Sequence, residues 1–131
     1  MKPKKKAWKA TPHIKKLDKL ASKIVRHKGR CDRCGKSDGK MDCAHIIPRT
    51  YKSTRWYLPN LLPLCFNCHR WWHDEPYESG VWIREHLGED HMEMLTGMKR
   101  MIVPTTPEVV ENTMKYLSDK AVEAGLQEIL D

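Results

Sequence analysis

The sequence predicts a small α+β fold: a two-stranded hairpin and one helix stapled by paired cysteines, with further helices on either side. Three observations predict it. Two Cys-x-x-Cys knuckles, Cys31/Cys34 and Cys65/Cys68, stand thirty residues apart. Between them lie two short apolar segments, Met41 to Pro48 and Asn60 to Leu64. Before the first knuckle and after the second, apolar residues recur at helical spacing.

A length of 131 residues suits one domain with tails. The expected boundaries are a flexible basic arm over 1–10, a core with its helices over 11–101, and a helical tail over 102–131. Such a core is small, and small cores often add a metal. The net charge of +7 is uneven. Residues 1–40 hold fifteen Lys/Arg against three Asp/Glu, whereas residues 81–131 hold five against ten. A polyanion partner is therefore expected at the front of the chain only, the bland alternative being a solvated tail. Four of the five cysteines fall into the knuckles, which argues for a metal rather than disulfides and suits a reducing cytoplasm. No apolar run is long enough for a membrane span, and the N-terminus lacks the apolar segment of a secretory signal. The expectation is a soluble, cytoplasmic protein with no membrane partner.

The first helix should begin at Thr11-Pro12, with Thr11 as cap and Pro12 in the first turn. Ile14, Leu17, Ala21, Ile24 and Val25 form its apolar stripe, Lys15, Lys16, Lys19 and Lys23 take the other surfaces, and Gly29 is the expected C-cap. Gly35 lets the first knuckle turn tightly. Met41 to Pro48 reads as a strand, Arg49 to Pro59 as a polar loop, and Asn60 to Leu64 as a second strand. A helix then starts near the second knuckle and runs through Trp71 and Trp72 to about Asp74. Tyr77 to Leu87 forms another, ending at Gly88, and Glu89 to Met101 the next. Pro104 and Pro107 interrupt the chain, and Thr106 caps a last helix carrying Val110, Met114, Leu117 and Ala121.

Four thiolates in two knuckles make the tetrahedral shell that zinc takes, so Cys31, Cys34, Cys65 and Cys68 are expected to hold a structural Zn2+. Cys43 is spare, either a small core residue or a substitute ligand. His45 stands fifteen positions before Asn60, which stands nine before His69, and His73 follows four later. Phosphodiester hydrolysis needs a base, a cation and stabilisation of the leaving oxygen. An imidazole suits the first task, and His69 and His73, one helical turn apart, can reach one cation. Asn60 can hold the loop that orients His45. Taken singly, each of these residues has a more ordinary reading as a core, turn or surface side chain. The intervals inside a cysteine clamp argue for the chemistry.

On these residues the stretch 31–73 resembles the HNH family of metal-dependent nucleases, in its ββα-metal form with a four-cysteine zinc. DCAHIIPRTYKSTRWYLPNLLPLCFNCHR is similar to phage HNH proteins of the NinG (Rap recombinase) group. The resemblance implies His45 as general base, Asn60 as the central asparagine, and His69 as the last histidine and a ligand of a catalytic cation, Mg2+ or Mn2+. It also implies His73 as a further ligand, as in colicin-type members. Many HNH enzymes place an Asp or His ligand directly before the base, where this chain has Ala44. Asp42, on the same strand face, is the substitute. The expected function is a DNA endonuclease in phage recombination or branched-DNA processing. Lys15, Lys16, Lys19, Lys23, Arg49, Lys52 and Arg55 would meet phosphates. Trp56 or Tyr57 would stack on irregular DNA or simply pack. Resolving a junction would need two active sites, hence a possible homodimer. The alternative is a non-catalytic zinc module that binds nucleic acid, and beyond that a protein adaptor using the acidic tail.

Overall fold

The computed structural model describes residues 7–130. Residues 1–6 of the expected basic arm lie outside them. Helix α1 spans Ala10–Arg26 and buries Leu17, Leu20, Ala21, Ile24 and Val25 along one stripe. Its start differs from the expected one. Lys9 occupies the cap position with no side-chain cap bond, and Thr11 lies inside the first turn. Alanine is the best helix former, so Ala10 extends the helix backwards, and Pro12 still falls where its missing N–H costs nothing. The other end also moves: His27 is the C-cap, and Gly29 follows it in a turn with φ of +69°.

The hairpin pairs β1, Met41–His45, antiparallel with β2, Leu61–Cys65. Ala44 stands opposite Leu62 and His45 opposite Leu61. The first strand stops at His45 rather than Pro48. The Ile46 amide donates to the Asn60 carbonyl and the Ile47 amide to the Asn60 side chain, so the ladder turns into a loop clamp. The expected loop from Arg49 to Pro59 is partly ordered. The Tyr51 carbonyl accepts from the amides of Thr54 and Arg55, which winds a short helix α2, Lys52–Arg55. A 3-10 turn, Leu58–Asn60, follows and leads into β2.

Helix α3, Phe66–Asp74, begins directly at the second knuckle. Helix α4, Pro76–Leu87, ends at Gly88, whose φ of +89° is open to glycine at little cost and lets α5, Glu89–Lys99, set off in a new direction. Thr106 caps α6, Pro107–Glu123, as expected: its hydroxyl accepts from the Val109 amide at 3.2 Å. A further 3-10 turn, Gln127–Leu130, packs against α6 and α1.

The fold is α+β, with the hairpin as its middle layer. Every residue of β2 is buried, because both faces are covered. On one face Cys43 and Leu61 meet α1, α6 and Trp56. On the other Ala44, Leu62 and Leu64 meet the knuckle cysteines and Ile83 of α4, with Trp72, Trp82 and Met92 at the margin. Side chains alternate along a strand, so residues of β1 are divided between these two environments. Among the described residues no helix is long and apolar enough to cross a membrane.

Candidate active site and metal centre

The sulfurs of Cys31, Cys34, Cys65 and Cys68 all lie within 4.8 Å of one another, and those of Cys34 and Cys65 are 3.7 Å apart. A tetrahedral zinc with Zn–S of about 2.3 Å sets neighbouring sulfurs ~3.8 Å apart, so the cluster fits that ion. The first knuckle closes through the Gly35 amide, which donates to the Cys31 carbonyl at 2.9 Å. Gly35 sits at φ of +76°, where a side chain would be strained and would meet the Arg30 guanidinium. Burial raises the Cys31 thiol, but backbone hydrogen bonds outweigh it and the net value is lowered to about 7. Cys68 is pushed up to about 12 by burial and by the three neighbouring sulfurs, against a hydrogen bond from Arg33. A dication binding here would ionise all four. Arg33 itself lies 3.6 Å above the Trp71 ring and donates to Cys68 Sγ at 3.5 Å. Its place in the knuckle carried no sequence signal beyond a positive charge between two cysteines.

Asn60 is fully buried and spends its whole amide on the loop. Its Oδ1 accepts from the Ile47 amide at 2.8 Å, and its Nδ2 donates to the carbonyls of Ile47 and Thr54, both at 3.1 Å. The loop-holding part expected of it is what these bonds do. His45 projects into a cleft of about 270 Å³ walled by Asp18, Lys19, Ser22, Arg49 and Arg55. Its Nε2 lies 3.1 Å from the Arg55 carbonyl. A carbonyl only accepts, so Nε2 carries the proton and Nδ1 of the neutral ring keeps its lone pair. Burial lowers the His45 pKa below its ordinary value, and the charges of Arg49 and Arg55 add to this. The neutral ring is thus favoured, against the raising effects of the Arg55 carbonyl and Asp18.

Asp42 lies on the other face of β1, under α3. Its Oδ2 is 3.2 Å from His69 Nδ1, and His69 Nε2 is 3.2 Å from His73 Nε2. The carboxylate favours the His69 tautomer with Nδ1 protonated, leaving Nε2 with a lone pair that could hold a metal. Two nitrogens at that separation fit one cation about 2.1 Å from each, at an angle of roughly 100°. Asp42 sits behind His69 rather than beside its ligand nitrogen. Ala44 is fully buried in the apolar core and leaves no space for a ligand there. Among the described residues no side-chain hydrogen bond joins this trio to His45.

Residues 31–75 match the HNH endonuclease family model.

No curated protein and no solved structure matches the chain. The matched segment contains both knuckles, the hairpin, His45, Asn60 and the His69–His73 pair. Helix α1 and the helices after α3 lie outside it.

The basic residues expected to meet phosphates do not behave alike. Lys15, Lys16 and Lys19 are exposed on α1, and Lys23 is half-buried. Lys19 and the exposed Arg49 border the His45 cleft. Lys52 faces a different cavity, between α2 and α6. Arg55 turns inward, gripping Asp18 through Nε at 2.9 Å and Nη2 at 2.7 Å, because a bidentate carboxylate outcompetes solvent for the guanidinium. Trp56 takes the packing alternative. It is buried, and its Nε1 donates to Asp18 at 2.7 Å. Tyr57 stacks against Tyr116 of α6. Asp18 is the residue that sequence reasoning missed. Its one signal was to be the only acidic side chain among the first thirty residues.

Proposed function

We propose that this protein is a metal-dependent endonuclease that hydrolyses phosphodiester bonds in DNA, with residues 11–101 as the nuclease unit and 102–131 as a helical tail. The observation that carries the reading is the pair of imidazole nitrogens on His69 and His73, 3.2 Å apart, with Asp42 behind them. A divalent cation held by His69 and His73 would neutralise charge on the phosphate and on the leaving oxygen. Imidazole donors favour a first-row transition ion, so of the two expected cations Mn2+ fits better than Mg2+. His45 takes the proton of the attacking water at Nδ1, while the Arg55 carbonyl holds its Nε2. Asn60 keeps the loop that ends β1 in register with both. The scissile phosphate would lie across the end of β1, where its two faces meet. Lys15, Lys16, Lys19, Lys23 and Arg49 draw the DNA backbone to this side by charge.

The similarity of residues 42–70 to the NinG group supports branched recombination DNA in a phage-infected cell's cytoplasm as the substrate and setting. Two copies would then act together as a homodimer. The buried Ala44, which offers no third ligand beside the base, favours the rival reading of a zinc module that binds DNA without cutting it. Incubation of linear, nicked and four-way DNA with Mn2+, with Mg2+ and with chelator separates the two. Metal-dependent nicking of any of these DNAs that is lost in His73→Ala supports the nuclease. Salt-sensitive binding with no cleavage under any metal supports the module.

A further inference from the structure

We propose that Asp18, on the helix before the knuckles and outside the HNH segment, is a positioning residue that sets the tautomer and aim of His45. The proposal rests on reading His45 as the base. Its evidence is the peptide that joins Arg55 to Trp56. The carbonyl of that peptide is the acceptor for His45 Nε2, at 3.1 Å. Both residues flanking it are anchored on one carboxylate. Asp18 Oδ1 accepts from Arg55 Nε at 2.9 Å and from Trp56 Nε1 at 2.7 Å, and Oδ2 accepts from Arg55 Nη2 at 2.7 Å. The preceding peptide is fixed as well, since Asn60 Nδ2 donates to the Thr54 carbonyl. Helix α2 is only four residues long and could not hold a carbonyl in place by itself. With the 55–56 peptide gripped on both sides, its oxygen points at His45 and keeps the proton on Nε2. Nδ1 is then left free on a ring that lines the cleft Asp18, Lys19 and Arg49 also wall.

A carboxylate that only docked α1 would leave the imidazole indifferent to its loss. Full-length, zinc-loaded protein is compared with Asp18→Asn, which keeps an acceptor for Trp56, and with Arg55→Lys, which keeps the Asp18–Trp56 bond but removes the fork. The first readout is the His45 tautomer by long-range proton–nitrogen NMR, at a pH where the ring is neutral. The parent should show one form, protonated at Nε2. The variants should show a mixture with the Nδ1-protonated form. The second readout is DNA cleavage, where kcat should fall about 10–100-fold with KM unchanged, the size of loss that misplacing a reacting group causes. A tautomer that stays wholly Nε2-protonated in both variants would overturn the proposal, whatever happens to cleavage. If the tautomer shifts but no protein cuts DNA, the positioning by Asp18 holds and the nuclease reading is the one that fails.

Discussion

Replacing His45 with alanine removes the proposed base without removing a core contact, since the ring is half-buried and bonds only a carbonyl. Cleavage should fall by about 10²–10⁴-fold while zinc content, circular dichroism and DNA affinity stay close to the parent. Wild-type cutting by His45→Ala would remove the base assignment. The pH profile carries the same point with a definite sign. Burial, and then the arginine charges, lower this pKa, so the ring stays neutral as pH falls through the ordinary imidazole value of about 6.5. The acid limb of the rate should therefore lie below that value, and an acid limb centred above it would contradict a buried base. Asp42→Asn tests the carboxylate behind His69. Metal affinity should weaken by about 10–100-fold, the usual cost of losing such a partner, with the rate restored at saturating Mn2+. A metal titration that overlays the parent would take Asp42 out of the site. At this scale the sequence was readable where a residue acts through local spacing. The knuckles and His69–His73 are such cases, because a C-x-x-C turn or an i, i+4 pair fixes its own geometry. Asp18 and Arg55 meet only because α1 docks on the loop thirty-seven positions later, and no local pattern encodes that pairing.

The loop from Ile46 to Asn60 is the element that turns a hairpin into a candidate site. It hangs on Asn60, whose amide replaces three backbone partners. Asn60→Ala would leave the Ile47 amide and the Ile47 carbonyl without partners in a buried place, each at a cost of roughly 1–3 kcal/mol, while the Thr54 carbonyl keeps the Tyr57 amide. Urea unfolding with the zinc retained should show a lowered midpoint, and cleavage should fall with it. Unchanged stability would mean that water replaces the side chain. The loop is also buttressed from beyond residues 31–75: Tyr116 Oη accepts from the Leu58 amide at 3.1 Å, and His91 Nε2 donates to the Pro59 carbonyl at 2.7 Å. The long helices were legible because apolar stripes, Gly88 and the Thr106 cap are local signals. The short α2 and the 3-10 turns were not, since turns of three or four residues follow from tertiary anchors such as Tyr116 rather than from periodicity.

The molecule as a whole has two cores back to back across the hairpin, one built on the cysteine cluster and one on α1 against α6. Zinc removal should act first on the former. A chelator strong enough to strip four thiolates should unfold the hairpin and α3, because metal binding and folding are coupled there. Far-ultraviolet circular dichroism that stays unchanged while zinc is released would show that the metal is dispensable. The other core depends on residues at opposite ends of the described chain, Leu17, Leu20 and Ile24 meeting Val110, Leu117 and Ala121. During synthesis α1 leaves the ribosome before α6, roughly eighty residues ahead of it, and at about 5–20 residues per second waits several seconds for it. Until then its apolar stripe has no complete cover. The nascent chain can thus close the cysteine-cluster half, and bring together the walls of the cleft around His45, while α1 still waits for α6 to cover its stripe.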